Sequence, residues 1–220
     1  MAYQARWLWY HRVTKQPESR LVKPEQIASS YNQIAQHWDC PEFNHVNGIE
    51  QHTRALQFMS RCGRALDVGC GSSGRVIELL LQRGFEVEGL DISTEMLKRA
   101  RQHHPNVLFY QADICSWEFP KRYDFISAWD SIWHVPLDQQ LSVLSRLCVG
   151  LESGGVLIFT TGGVEKPDEV TNPCFGQPLY HAAPGIFALI RTLEQADCLC
   201  RHLEYDQYPE KHVFIIAQRA

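Results

Sequence analysis

From residue 64 to residue 161, short apolar runs alternate with segments of helical period, and no other feature constrains the fold as much. Arg64 to Gly69 reads as a short buried strand that leads into a glycine-rich turn. Val76 to Gln82 is an apolar helical stretch that Gly84 can terminate. Phe85 to Asp91 is a second strand, and Ser93 can cap the helix after it, which Pro105 ends. Asn106 to Ala112 and Tyr123 to Trp129 give a third and a fourth strand. Pro136 opens a helix in which Leu137, Leu141, Leu144 and Cys148 keep helical spacing, and Val156 to Thr161 is a fifth strand. Four β-α alternations in a row imply a doubly wound parallel sheet.

The C-terminal part breaks the pattern. Ile186, Leu189, Ile190 and Leu193 mark a helix. Cys198 to Asp206 and His212 to Gln218 then form two strand-like runs with too few residues between them for a crossover helix, so they pair antiparallel. The expected fold is therefore α/β, a doubly wound, mostly parallel seven-stranded sheet ending in an antiparallel hairpin. Upstream, residues 24–39 read as a helix opened by Pro24, with Ile27, Tyr31, Ile34 and Trp38 on one stripe, and about 48–61 as a second helix. We expect one domain over residues 24–220, with 24–62 as a helical lid on a 63–220 core. Residues 1–23, with contiguous Trp7-Leu8-Trp9-Tyr10, form an extension of unassigned role.

Composition narrows the partners. Net charge is -4 over 220 residues, with no concentrated basic face for neutralising phosphates, which disfavours nucleic acid. No apolar run approaches a membrane span or a secretory leader. The eight cysteines show no metal-site spacing and read as reduced thiols, mostly in the core. Together these point to a cytoplasmic protein without membrane, nucleic-acid or metal partners.

The turn after the first strand, ALDVGCGSSGRV, places Gly69, Gly71 and Gly74 where backbone N–H groups and a helix N-terminus can approach a nucleotide-like ligand. Asp91, at the end of the second strand, can accept hydrogen bonds from ribose hydroxyls. NAD and S-adenosylmethionine fit these features equally well. Asp67 separates them, because a buried carboxylate repels a pyrophosphate and favours an ammonium or sulfonium. The plainer reading of Asp67 is a residue that braces the loop.

The chain here resembles the class I S-adenosylmethionine-dependent methyltransferases. Their first motif, an acid followed by x-G-x-G-x-G, matches Asp67-Val68-Gly69-Cys70-Gly71-Ser72-Ser73-Gly74, with Ser73 at the usual third glycine. The acid at the end of their second strand matches Asp91, followed by Ile92, and the acid after the third strand matches Asp113. The segments YDFISAWDSIWHVP and LESGGVLIFTT match those around strands four and five. By this resemblance Asp113 meets the adenine amino group, the Ile114 backbone meets the ring, and Tyr31 sits on a lid helix near the cofactor's amino-acid end; a helical-stripe tyrosine is otherwise core. The resemblance implies S-adenosylmethionine as cofactor and methyl transfer to a small-molecule acceptor. A non-catalytic S-adenosylmethionine-binding module and an NAD oxidoreductase are the alternatives.

Methyl transfer is an in-line displacement in which alignment and desolvation carry most of the rate, and an acceptor bearing a proton can need a base. His134, after strand four, is a candidate base, or else a residue bonded to a helix or a backbone carbonyl. Trp129 walls the ligand or fills the core. Asp130 faces the ligand ammonium or a loop amide. Residues 162–184 read as a long connection at the ligand face, where function is common. Tyr180 and His181 are its candidates for touching an acceptor, or else partly exposed loop residues.

Overall fold

The computed structural model describes residues 22–220. Strands β1 (Arg64–Val68), β2 (Glu86–Asp91), β3 (Leu108–Gln111), β4 (Tyr123–Ala128), β5 (Leu151–Gly162), β8 (Cys198–Glu204) and β9 (His212–Arg219) form one sheet in the order β3-β2-β1-β4-β5-β9-β8. β6 (Asp168–Cys174) and β7 (Gln177–Ala183) form a separate ribbon. β1 to β5 pair in parallel and β9 pairs antiparallel with both β5 and β8. This is the expected seven-stranded sheet with its antiparallel end.

The strands carry side chains to opposite faces in turn, and each face buries its own core. On β9, Val213, Ile215 and Ala217 join Leu66, Ile126 and Phe159 on one side. Phe214 and Ile216 join Ala65, Phe125 and Ile158 on the other. Helices α5 (Gln140–Val149) and α6 (Ile186–Gln195) cover the first side, and α2 (Ile49–Leu56), α3 (Arg75–Gln82) and α4 (Thr94–His103) cover the second. Helix α1 (Pro24–Ile34) and a short 3-10 turn, Ala35–Trp38, replace the single helix expected over 24–39. Ser93 caps α4 as expected, its side chain accepting from the Met96 N–H.

Three local expectations change. The helix after Pro136 starts at Gln140, because Pro136 begins a turn closed by the Gln139 N–H donating to its carbonyl. The buried Gln140 amide then donates to the Val135 and Ala182 carbonyls, holding that turn against β7. Second, residues 162–184 are not an irregular loop. They hold the β6–β7 ribbon, turned at Phe175 and Gly176, both at positive φ (47° and 80°). Pro173 and Pro178, which argue against strands in a sequence, lie opposite each other in the register. A two-stranded ribbon has two free edges, so a missing N–H there breaks no ladder. Third, Cys70, Cys148 and Cys198 are buried, whereas Cys62 and Cys200 are exposed and the other three lie between; all eight are free thiols. The expected extension over residues 1–23 falls almost wholly outside the described residues.

Candidate functional site

The carboxyl ends of β1, β2 and β4 open onto a cavity of about 900 Å³. Such crevices are the usual ligand position in a doubly wound sheet, and this volume lies at the upper end of the range for ligand pockets. The glycine turn forms its floor. A Cβ at Gly69 would lie 2.3 Å from Ser131 Cβ, so a side chain is excluded by packing. At Gly71, with φ of 60°, nothing lies within 4 Å of a built Cβ; the backbone there faces open space. The N–H groups of Gly69 and Cys70 donate to the Leu90 carbonyl, and that of Gly71 donates to Asp91 Oδ2 at 2.9 Å. Asp91 Oδ1 accepts from the Ser93 N–H at 2.8 Å. The Asp91 carboxylate thus meets three backbone donors, those of Gly71, Ser93 and Ile92, and still has a lone pair for a ligand. Burial raises its pKa, against the pull of those N–H groups.

Cys70, Gly71, Asp91, Ile92, Asp113 and Ile114 all line the cavity, as do Gly69, Tyr31, Trp129 and Asp130. Asp113 is braced by the Cys115 N–H at 2.9 Å. Asp67 is the exception among the residues expected to meet a cofactor. It lies beneath the loop, 4 % exposed and off the cavity wall. Burial lifts its pKa to about 6 against the Ser127 hydrogen bond and the nearby charge of Arg75. Its hydrogen bond is to the Ser127 side chain on the adjacent strand β4, its register partner. The Ser72 hydroxyl, buried at the cavity wall, has no hydrogen-bond partner.

Arg75, the first residue of α3, was not anticipated. It lines the cavity and donates to the Asn47 carbonyl and the Ser73 hydroxyl. Asp130 has a left-handed backbone (φ 51°), and its carboxylate accepts from Asn47 Nδ2 at 2.9 Å and His212 Nε2 at 3.1 Å. The other ring nitrogen of His212 donates to Asp206 at 2.5 Å. Burial alone would lower the His212 pKa, but the two carboxylates outweigh it and lift the value to about 9. His212 is therefore a buried cation between two anions. Nothing in its strand position announced this role.

His134 bonds a carbonyl. Its Nδ1 donates to Tyr180 O at 2.6 Å, while Nε2 accepts from the Trp133 indole at 3.0 Å and from the Tyr31 hydroxyl at 2.7 Å. An indole N–H only donates, which fixes Nε2 as the acceptor and the ring as neutral. Burial lowers its pKa to about 4. Tyr31 is thereby held over the cavity, with Trp38 edge-on at 5.4 Å. Tyr180 and His181 do not line the cavity. The Tyr180 hydroxyl donates to Glu169 at 2.6 Å, and the buried His181 ring lies 4.6 Å from that of His134. The ribbon instead offers its tip. Phe175 lines the mouth and stacks on His37, ring centres 3.8 Å apart. A glycine at a two-residue turn was the sequence signal for that tip.

A family model described as a methyltransferase domain matches residues 65–155. A trans-aconitate 2-methyltransferase of Rhizobium rhizogenes is 36% identical over 117 residues, which are 52% of this chain and 43% of that protein. The chain thus spans less than half the length of the curated relative it matches. Among solved structures, an S-adenosylmethionine-dependent methyltransferase from Clostridium acetobutylicum superposes with a TM-score of 0.69 at 14% identity, over 86% of this chain and 99% of that one. An amino pentose methyltransferase of Micromonospora echinaspora with S-adenosylmethionine bound gives 0.60 at 16% identity, over 80% and 91%. The fold and the methyltransferase-domain match over residues 65–155 agree with the acids and glycines that the class I S-adenosylmethionine-dependent methyltransferase motifs place at the strand ends.

Proposed function

We propose that the protein binds S-adenosylmethionine in this cavity and transfers its methyl group to a small molecule. The observation that carries the reading is the floor: an open Gly71, a partnerless buried Ser72 hydroxyl and an Asp91 with a lone pair to spare. Bound there, the cofactor supplies an electrophilic methyl group on a sulfonium. Asp91 accepts from the ribose hydroxyls and Asp113 from the adenine amino group, with Cys70, Ile92 and Ile114 flanking the base. Asp130 offers a carboxylate to the ammonium, and its pKa is held below the usual range because the His212 hydrogen bond and charge outweigh burial. Arg75 offers a guanidinium to the carboxylate. Tyr31, fixed by His134, closes the cavity from α1 and excludes water around the reacting atoms.

His134 acts here as a positioning residue. A ring at pKa about 4 with both nitrogens engaged holds Tyr31 rather than taking a proton from an acceptor. Among the described residues no helix is long and apolar enough to cross a membrane. We place the reaction in the cytoplasm, where eight free thiols stay reduced. The curated relatives are named for trans-aconitate, but they match over only about half of this chain, so the acceptor here is read from the cavity itself. Calorimetry should show binding of S-adenosylmethionine and S-adenosylhomocysteine and none of NAD. NAD binding without a response to either methionine derivative overturns the reading.

A further inference from the structure

The cavity has a second half that the cofactor-binding residues do not use. Its walls are the 3-10 turn with the following segment as far as the start of α2, the Phe175 tip and the β8–β9 connection. Four carboxylates line this half: Glu42 and Glu210, with Glu50 paired to Arg54 and Asp206 paired to His212. Asp91, Asp113 and Asp130 line the other. Among the described lining residues Arg75 is the single Lys or Arg. Its guanidinium already donates to Asn47 and Ser73 and faces Asp130 and Asp67, so its charge is compensated. The rest of the wall is aromatic, with Trp38, Phe43 and Phe175 at the mouth. Trp129, 4 % exposed at the same cavity, carries an indole N–H with no partner.

We infer that the acceptor is an amine carried on an apolar or aromatic body, and not a carboxylic acid. This rests on the methyltransferase reading of the same cavity. Carboxylates and aromatic faces together attract a cation and repel an anion. A di- or tricarboxylate entering this half meets Glu42 and Glu210, and among the described lining residues no Lys or Arg other than the compensated Arg75 is there to pair with it. The trapped N–H of Trp129 adds a donor for an ether or hydroxyl oxygen on the acceptor body.

The chemistry suits the wall. An ammonium arriving from water loses its proton to solvent at the open mouth, and the neutral amine is the nucleophile. The N–C bond forms as the methyl C–S bond breaks, and that bonding pair stays on sulfur as a neutral thioether. Positive charge passes from sulfur to nitrogen and the methylated ammonium leaves as a cation. Carboxylates that favour the substrate cation therefore favour the product cation equally, and no buried base is required.

The test compares two probes of one shape, benzylamine and benzoate, binding to the protein saturated with S-adenosylhomocysteine and followed by ligand-observed NMR. Benzylamine should bind at least tenfold more tightly, and added salt should narrow the gap. Equal affinities, whether measurable or not, or a preference for benzoate overturn the inference. In E50K/E210K, whose fold is checked by circular dichroism, the preference should fall by at least fivefold; an unchanged ratio also overturns it. S-adenosylhomocysteine affinity is read in the same samples. Its absence sinks the methyltransferase reading, whereas its presence with a benzoate preference sinks the amine alone. Turnover gives a second readout, with product formed from tyramine and none from trans-aconitate; product from trans-aconitate and none from tyramine overturns the inference.

Discussion

The two halves of the cavity are built in different ways. The cofactor half is held by backbone: Gly69, Cys70, Gly71 and Ser93 donate main-chain N–H groups to the Leu90 carbonyl and the Asp91 carboxylate. The other half is held by side chains reaching between distant elements, such as Ser30 of α1 on Pro178 of β7 and Phe175 on His37. A main-chain site tolerates change in most side chains around it, so it can be shared across a family. A side-chain site changes with each substitution, so it is where specificity is set. Asp130 with His212 joins the two halves.

The largest effect should come from that joint. His212→Gln removes the cation between Asp130 and Asp206 and leaves two buried carboxylates, a loss of about 3–5 kcal/mol. Chemical denaturation would measure it, and a loss below 1 kcal/mol would mean the halves are not joined here. The pH dependence has a defined sign. The folded pKa, about 9, exceeds the unfolded value of about 6.5. The stabilisation is therefore complete below pH 6.5 and lost as pH rises through 9, on the order of 3 kcal/mol in all. A melting temperature that is flat from pH 6.5 to 9 in the native protein contradicts this.

Next in size is Asp91→Ala. Each hydrogen bond to a charged acceptor is worth roughly 1.5–3 kcal/mol, so cofactor affinity should fall tenfold or more by calorimetry. Asp67→Asn should cost less than tenfold, since Asp67 lies beneath the loop; an equal loss would put both acids on the ligand. Phe175→Ala tests the side-chain half. Removing an aromatic stack of about 0.5–1.5 kcal/mol should raise KM for an acceptor about two- to tenfold, with cofactor affinity unchanged. If cofactor affinity falls instead, the halves are not separable. The smallest effect belongs to Tyr180→Phe, which removes the hydroxyl bonded to Glu169 and Leu137. Stability should drop by about 1 kcal/mol and turnover should not change; a lost turnover would return Tyr180 to the chemistry.

The same contrast decided what the sequence could reveal. The sheet and the cofactor half were legible because buried strands and glycine turns carry local patterns: apolar runs, an acid at a strand end, a glycine where φ is positive. Asp91 is legible from its place at a strand end and Asp113 from the family motif, and both line the cavity. His212 is not legible, because its role arises from two carboxylates 6 and 82 positions away that only the fold brings together. The β6–β7 ribbon was hidden by its prolines, and Tyr180 and His181 were overvalued because a loop at the ligand face was assumed to point its side chains inward. Asp67 shows the limit of charge arguments made without depth: its carboxylate is buried off the cavity wall, hydrogen-bonded to Ser127.

His134 has a consequence beyond holding Tyr31. One neutral ring is bonded at once to α1 through Tyr31, to the strand-four loop through Trp133 and to the ribbon through the Tyr180 carbonyl. A cofactor that orders Tyr31 therefore also orders the ribbon that walls the second half. Occupancy of one half then raises the affinity of the other, and reciprocity requires the same factor in both directions. Substrates would join in preferred order, cofactor before acceptor, and the spent cofactor would hold the last product in place. Inhibition by S-adenosylhomocysteine would then deepen as methylated product accumulates.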